Sequence, residues 1–256
     1  MGSGREVDED DHAAARQIAA AAADTLLAVR AEMGFADAKA LKDAGDARAE
    51  ARIQATLAEL RPGEAVLSEE SADDLARLQA PRVWVVDPLD GTREFSEEGR
   101  DDFAVHVALV VDEAPVCGAV ALPARGVTYS TGAHKPSAPD GHSGRPRLAV
   151  SRTRPPAIVD ELATRLEAEV VPMGSAGVKA ISVVTGEVDL YVHAGGQYEW
   201  DSAAPVAVAL ASGLHASRID GSPLRYNQAN PWLPDLVVCR VELAEDVLAL
   251  LSELPV

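Results

Sequence analysis

Arg82-Val83-Trp84-Val85-Val86-Asp87-Pro88-Leu89-Asp90-Gly91-Thr92-Arg93-Glu94-Phe95 is the stretch on which the reading of this chain turns. Its β-branched apolar run has the composition of a buried strand and ends in an aspartate. Pro88 has no N–H to give a sheet ladder, so the strand is expected to stop there. Asp90 follows, and Gly91-Thr92 begins a new turn or helix. Two carboxylates at the end of one buried strand share a small volume, where both stay ionised only around a cation. Hard oxygen donors suit Mg²⁺, and the amides of Gly91 and Thr92 suit a phosphate oxygen. Asp-Pro and Asp-Gly are also common turn dipeptides, so a plain strand–turn connection stands beside the metal-loop reading.

Two further acidic clusters favour the metal loop. Glu69-Glu70-Ser71 follows the apolar stretch Ala65-Val66-Leu67. Adjacent strands would bring Glu69 and Asp87 to the same sheet edge; an exposed acidic loop running on to Asp73 and Asp74 is the alternative. Glu199-Trp200-Asp201-Ser202 opens an apolar, helix-like stretch reaching Leu210. Asp201 there suits a helix N-cap, and a helix N-terminus also favours a bound anion.

A length of 256 residues allows one large α/β unit or two packed halves, either with a substantial core. The formal net charge of −18 argues against a polymeric nucleic-acid partner. It leaves room for a small phosphorylated substrate, provided metal ions offset the repulsion. Cys117 and Cys239 lie far apart in apolar runs, which reads as two reduced, buried thiols. Asp8-Glu9-Asp10-Asp11 is the opposite of a basic signal-peptide start, and Arg16, Gln17 and Asp24 interrupt the Ala-rich run after it. A cytoplasmic location with no membrane partner is therefore expected. The six histidines show no metal-ligand spacing.

Patterning predicts a helix over 11–32 and a second one, introduced by Gly45-Asp46, to about 60. Strands are predicted at 65–67, 83–86, 103–111, 116–122 and 127–130, the third and fourth forming a hairpin across 112–115. Residues 134–145 are rich in Gly, Pro and Ser and read as a loop. Beyond them come a strand at 148–151, a helix at 156–167, a strand at 170–171 and a helix at 176–185. A strand at 189–192, a helix after Asp201, a strand at 236–241 and a helix at 243–254 complete the chain. The pattern divides it into an α+β half, 1–146, with Glu69, Glu70 and the 87–92 loop, and an α/β half, 147–256, with Asp201 and the substrate pocket.

The three acidic clusters, in this order and spacing, resemble the inositol monophosphatase-like superfamily of Mg²⁺-dependent, lithium-sensitive phosphatases. The resemblance covers nearly the whole chain. Gly91-Thr92-Arg93-Glu94-Phe95, Glu199-Trp200-Asp201-Ser202-Ala203-Ala204 and Ser222-Pro223-Leu224-Arg225-Tyr226-Asn227 are similar to its CysQ branch, the 3′(2′),5′-bisphosphate nucleotidases, and to actinobacterial members in particular. The resemblance implies a layered α-β-α-β-α sugar-phosphatase-like fold. It also implies hydrolysis of 3′-phosphoadenosine 5′-phosphate to AMP and phosphate, a reaction that clears a by-product of sulfate assimilation. Homodimers are usual among such relatives.

By the same resemblance two or three Mg²⁺ ions are expected. Glu69, Asp87 and the carbonyl of Leu89 would hold one, Asp87, Asp90 and Asp201 a second, and Glu70 would help with a weaker third. Coordination to Mg²⁺ lowers the pKa of water enough to supply a nucleophile near neutral pH. Glu69, with Asp46 paired to the Thr92 hydroxyl, would orient that water. Asp90, Gly91, Thr92, Ser175, Lys179 and His193 would line the substrate site. Lys179 is either the partner of a 5′-phosphate or a surface helix lysine. His193 stands where inositol-specific relatives carry Glu and bisphosphate nucleotidases often carry Arg, and a structural role is its other reading. Two alternatives remain open: inositol monophosphate or fructose 1,6-bisphosphate as substrate of the same site, and a non-catalytic divalent-ion or phosphate-ligand binding protein.

Overall fold

The computed structural model describes residues 7–73, 75–132 and 144–254. Asp74 and positions 134–143 of the expected loop lie outside the described residues.

Two helices come first, α1 (Glu9–Met33) and α2 (Ala38–Leu60). A five-stranded sheet follows in spatial order β1 (Ala65–Ser68), β2 (Arg82–Asp90), β3 (Ala104–Val111), β4 (Ala114–Leu122) and β5 (Val127–Ser130), with one short helix, α3 (Thr92–Phe95), after β2. β1 and β2 run parallel, and the later neighbours are antiparallel. Every residue of β3 is buried, because helices cover both faces of this sheet. Side chains alternate across a strand. Trp84 and Val86 accordingly join the core under α1 and α2, while Val83 and Val85 join the core on the opposite face. The many alanines of α1 leave little side chain between helix and sheet, which lets them pack closely.

A second sheet has the order β7 (Glu169–Met173), β6 (Arg147–Ser151), β8 (Leu190–Tyr198), β10 (Trp232–Cys239), β9 (His215–Ser217). Between the two sheets lie α5 (Ala176–Val184) and α6 (Glu199–Ala211), whose apolar residues share one core with Val85 and Val120 on one side and with Tyr191 and Val238 on the other. α4 (Ala157–Arg165) and α7 (Val241–Ser252) close the outer face of the second sheet through Leu162, Val247 and Leu251. The layers are thus α1α2, sheet, α5α6, sheet, α4α7, the α-β-α-β-α arrangement expected.

Several boundaries differ from the sequence reading. β2 does not stop at Pro88; it continues to Asp90 across an irregularity in its pairing with β3 between Asp87 and Asp90. A bulge of this kind absorbs the missing proline donor and re-aims the side chains around it. α2 starts seven residues before Gly45, with Asp37 as N-cap accepting from the Ala40 N–H at 3.0 Å. Gly45 is therefore a mid-helix residue, and its reason is packing: a Cβ there would lie 2.6 Å from Cε1 of Phe95. β8 and β10 are longer than expected, and β9 was not expected. The hairpin between β3 and β4 turns at Asp112-Glu113, both with positive φ, as a two-residue hairpin turn requires. Cys117 and Cys239 are buried and unpaired, and burial pushes both thiols up to about 12.

Candidate active site

The ends of β1 and β2 and the start of α6 meet between the two sheets, and the acidic clusters meet with them. Asp87, Asp90 and Asp201 each offer a carboxylate oxygen within 4.8 Å of the others. Glu69, just past β1, sets its carboxyl against that of Asp87. Parallel pairing of Ser68 with Val86 puts consecutive acids, Glu69 and Asp87, at the same sheet edge.

Asp87 is only 1 % exposed. Its Oδ1 accepts the Leu89 N–H at 2.9 Å, and its Oδ2 has no hydrogen-bond partner. Burial, and then the neighbouring charges of Glu69, Asp90 and Asp201, hold its pKa well above the usual carboxylate range. Burial and Asp201 push Glu69 up to about 7, although its side chain stands at the solvent edge of the cluster. Burial and Asp90 push Asp201 up to about 6. Asp90 goes the other way. Its burial alone would raise it, but contact with His106, the charge of Lys179 and the Ser175 hydroxyl outweigh that and hold it at about 2.

Asp90 is tied to the second half of the chain. Its Oδ2 accepts the Gly177 N–H at 2.7 Å and also the Ser175 hydroxyl. Ser175 is the N-cap of α5, with φ of +50°, and its Oγ accepts the Val178 N–H at 3.0 Å. Ser175 therefore positions Asp90 and caps a helix. Two more links run alongside: Asp102 accepts the Gly174 N–H at 2.6 Å, and Arg152 donates to Glu94 at 2.7 Å. Asp201 is the third residue of α6 and not its N-cap; its Oδ2 accepts the Tyr198 N–H at 2.6 Å, across the start of the helix.

Other expected residues sit differently from their assigned roles. The Thr92 hydroxyl donates to the Leu89 carbonyl at 3.1 Å, not to Asp46. Asp46 lies within α2 rather than at its head, and burial and Glu70 push it up to about 7. Glu70 is exposed. Lys179 is no surface lysine: it is buried, and its Nζ donates to the carbonyls of Ser175 at 2.7 Å and Gly174 at 3.3 Å. The His193 Nε2 donates to the Gly196 carbonyl at 2.8 Å, closing the glycine turn in β8. Gly91, with φ of +85°, has Asp102, Phe103 and Ser175 within 3.2 Å of where a Cβ would stand, so the loop must carry glycine there.

Sequence reasoning passed over His106. It is fully buried on β3, opposite Asp87 in the sheet register. Its Nδ1 donates to the Trp200 carbonyl at 3.0 Å and its Nε2 lies 3.3 Å from Asp90 Oδ2, so one ring braces two of the three carboxylate-bearing segments. Only the strand register reveals it. Glu199, though adjacent to the Asp201 segment's acids, faces away from them: it accepts the Asn227 and Gln228 N–H groups at 2.5 and 2.8 Å. The Tyr226 hydroxyl meets Ser202 at 3.2 Å. The 222–227 motif thus braces the first turns of α6.

The donor set fits a hard divalent cation. All donors are carboxylate oxygens, one buried oxygen is without a partner, and burial together with mutual repulsion raises the pKa of three of the four acids.

The sequence profile of the Inositol monophosphatase family matches residues 5–254. The chain is 53 % identical over 240 residues to the 3′-phosphoadenosine 5′-phosphate phosphatase of Mycobacterium bovis, covering 89 % of this chain and 88 % of that one. It is 34 % identical over 202 residues to the 3′(2′),5′-bisphosphate nucleotidase CysQ of Escherichia coli K12, covering 74 % and 81 %. The crystal structure of CysQ from Bacteroides thetaiotaomicron superposes with a TM-score of 0.76 at 24 % identity, over 91 % of this chain and 97 % of that one. By profile, by relatives and by fold, the chain belongs to the inositol monophosphatase family.

Proposed function

We propose that this protein is a metal-dependent phosphatase that removes the 3′-phosphate of 3′-phosphoadenosine 5′-phosphate, leaving AMP. The observation that carries the reading is the convergence of Asp87, Asp90 and Asp201 within 4.8 Å, with Glu69 against them. The identity of 53 % to a phosphatase of that name supports the choice of substrate. The ion is proposed to be Mg²⁺, because every donor is a hard oxygen. Glu69, Asp87 and the Leu89 carbonyl would hold one ion, Asp87, Asp90 and Asp201 another, and Glu70 would assist at the rim. Divalent ions supply positive charge that offsets the carboxylates and activates water for attack on phosphorus.

The chain's own groups do the rest. Glu69 stands at the open edge of the cluster, where its carboxylate can take a proton from attacking water. The Thr92 hydroxyl, which donates to the Leu89 carbonyl, would orient that water through its free oxygen lone pairs. The amides of Gly91 and Thr92 would hold phosphoryl oxygens. Lys179 contributes positive charge beneath the site, not a direct hand to the substrate.

Phosphate release from 3′-phosphoadenosine 5′-phosphate, inositol 1-phosphate and fructose 1,6-bisphosphate, with and without Mg²⁺, tests the reading. The nucleotide is expected to give the highest kcat/KM, with turnover lost in chelator. A higher value for inositol phosphate removes the nucleotide assignment. No release from any ester with Mg²⁺ present would leave a binding protein.

A further inference from the structure

Three of the chain's ten aromatic residues gather at one surface corner beside the carboxylates. Tyr198 ends β8, and its own N–H is the one that Asp201 accepts at 2.6 Å. One face of its ring stacks on Trp200, with centroids 4.7 Å apart and planes 9° from parallel. Trp232, its cross-strand partner on β10, stands at 82° to it with centroids 5.7 Å apart. The two rings form a floor and a wall, and both are open to solvent, Tyr198 at 43 % and Trp232 at 45 %. The corner is also braced. Trp232 presses on Gly196, where a Cβ would come within 1.7 Å of its ring, and Gly196 holds His193 through its carbonyl. Trp200 packs into the central core and accepts the His106 hydrogen bond on its carbonyl.

Exposed aromatic faces at right angles, fixed in place next to a phosphate-ester site, suit a flat π-system hanging from the same sugar as the phosphate. Lys179 and His193 are engaged with backbone carbonyls, so selection of a nucleotide has to come from elsewhere. We infer that the Tyr198–Trp232 corner is the base-binding subsite, taking the aromatic base of a nucleoside 3′,5′-bisphosphate by stacking on the open face of Tyr198 against the Trp232 wall. This inference rests on the phosphatase reading above and adds its specificity element.

The test is a discrimination ratio: kcat/KM for 3′-phosphoadenosine 5′-phosphate divided by kcat/KM for inositol 1-phosphate, which carries no base. Loss of one stacking partner corresponds to about tenfold or more in affinity. Tyr198→Ala and Trp232→Ala are each expected to lower the ratio at least about tenfold, mostly through KM for the nucleotide, and Tyr198→Phe is expected to restore it. Tryptophan fluorescence of the wild-type protein with Mg²⁺ should change on adding AMP, and the change should be lost in Tyr198→Ala. A ratio unchanged in both alanine variants overturns the inference, as does a fall that Tyr198→Phe shares. A change of oligomeric state in Tyr198→Ala with an unchanged ratio assigns the corner to a second copy of the chain, and overturns it too. Failure of the wild-type protein to release phosphate from the nucleotide would sink the parent reading instead; the fluorescence response to AMP then decides the subsite alone.

Discussion

Asp87 shows most sharply how one residue can trade stability for function. It is buried, one of its oxygens has no partner, and it is repelled by Glu69, Asp90 and Asp201. Asp87→Asn removes that repulsion and keeps the shape. It is expected to reduce kcat by about a hundredfold or more, a loss typical of removing one preorganised electrostatic group. In chelator the same variant should melt higher than wild type, by roughly 2–4 °C for each ~1 kcal/mol relieved. Steady-state kinetics and thermal melts in EDTA check both halves; a variant that melts lower in EDTA would show that Asp87 is not under the repulsion described. Such acids are legible in the sequence because each borders an apolar run. His106 is not legible in that way, since nothing local marks it and only the pairing of β3 with β2 sets it opposite Asp87. The same holds for Lys179, whose burial follows from α5 lying between two sheets.

At the scale of elements, two helical glycines carry the site's geometry. Gly45 would ordinarily be improved by alanine, since glycine in a helix interior costs about 0.8–1 kcal/mol. Here the added Cβ meets Phe95 at 2.6 Å, on the short helix that follows the metal loop. Gly45→Ala is expected to lose more than propensity returns, about 1–3 kcal/mol of overpacking, and to lower the melting temperature. Gly177→Ala is the sharper case. Its Cβ would fall 2.0 Å from His106 Nε2, and its N–H is one of the bonds to Asp90. It is expected to cost about 1–3 kcal/mol by the same overpacking and to depress kcat as well. A thermal melt and a rate measurement on each variant check these; a Gly45→Ala protein that melts higher would mean Phe95 yields freely. The layer order is implied by the resemblance to the phosphatase family; the residues themselves carry only the need of continuous apolar strands for cover on both faces. The start of α2 is not legible for a related reason: a glycine required by a tertiary contact looks, in sequence, like a helix boundary. The continuation of β2 past Pro88 was hidden because a bulge tolerates a proline that a regular ladder does not.

The whole molecule is held under electrostatic tension that divalent ions can release. The formal charge is −18, and carboxylates from the first sheet and from α6 converge on one point. Asp46 and Glu69 at about 7 and Asp201 at about 6 are all raised above their ordinary values near 4, as is Asp87. A raised carboxyl binds its proton more tightly folded than unfolded, so its contribution to stability is fully present below the unfolded pKa and is lost as pH rises through the folded one. Asp90, held at about 2, has the opposite sign, but its loss falls below pH 4 and outside the window of the other four. Chelator-treated protein is therefore expected to lose stability between about pH 4 and pH 7 from this cluster. Cations that bind only the folded cluster compete with its protons, so their stabilising effect should grow over the same interval. Melting curves in EDTA and in Mg²⁺, at matched ionic strength, should differ little at pH 5 and clearly at pH 7.5. A shift of equal size at both pH values would mean that the ions act on the general surface charge and not on these carboxylates. Replacing Mg²⁺ by an equivalent ionic strength of NaCl separates the two: surface screening survives the exchange, and binding by Asp87, Asp90 and Asp201 does not.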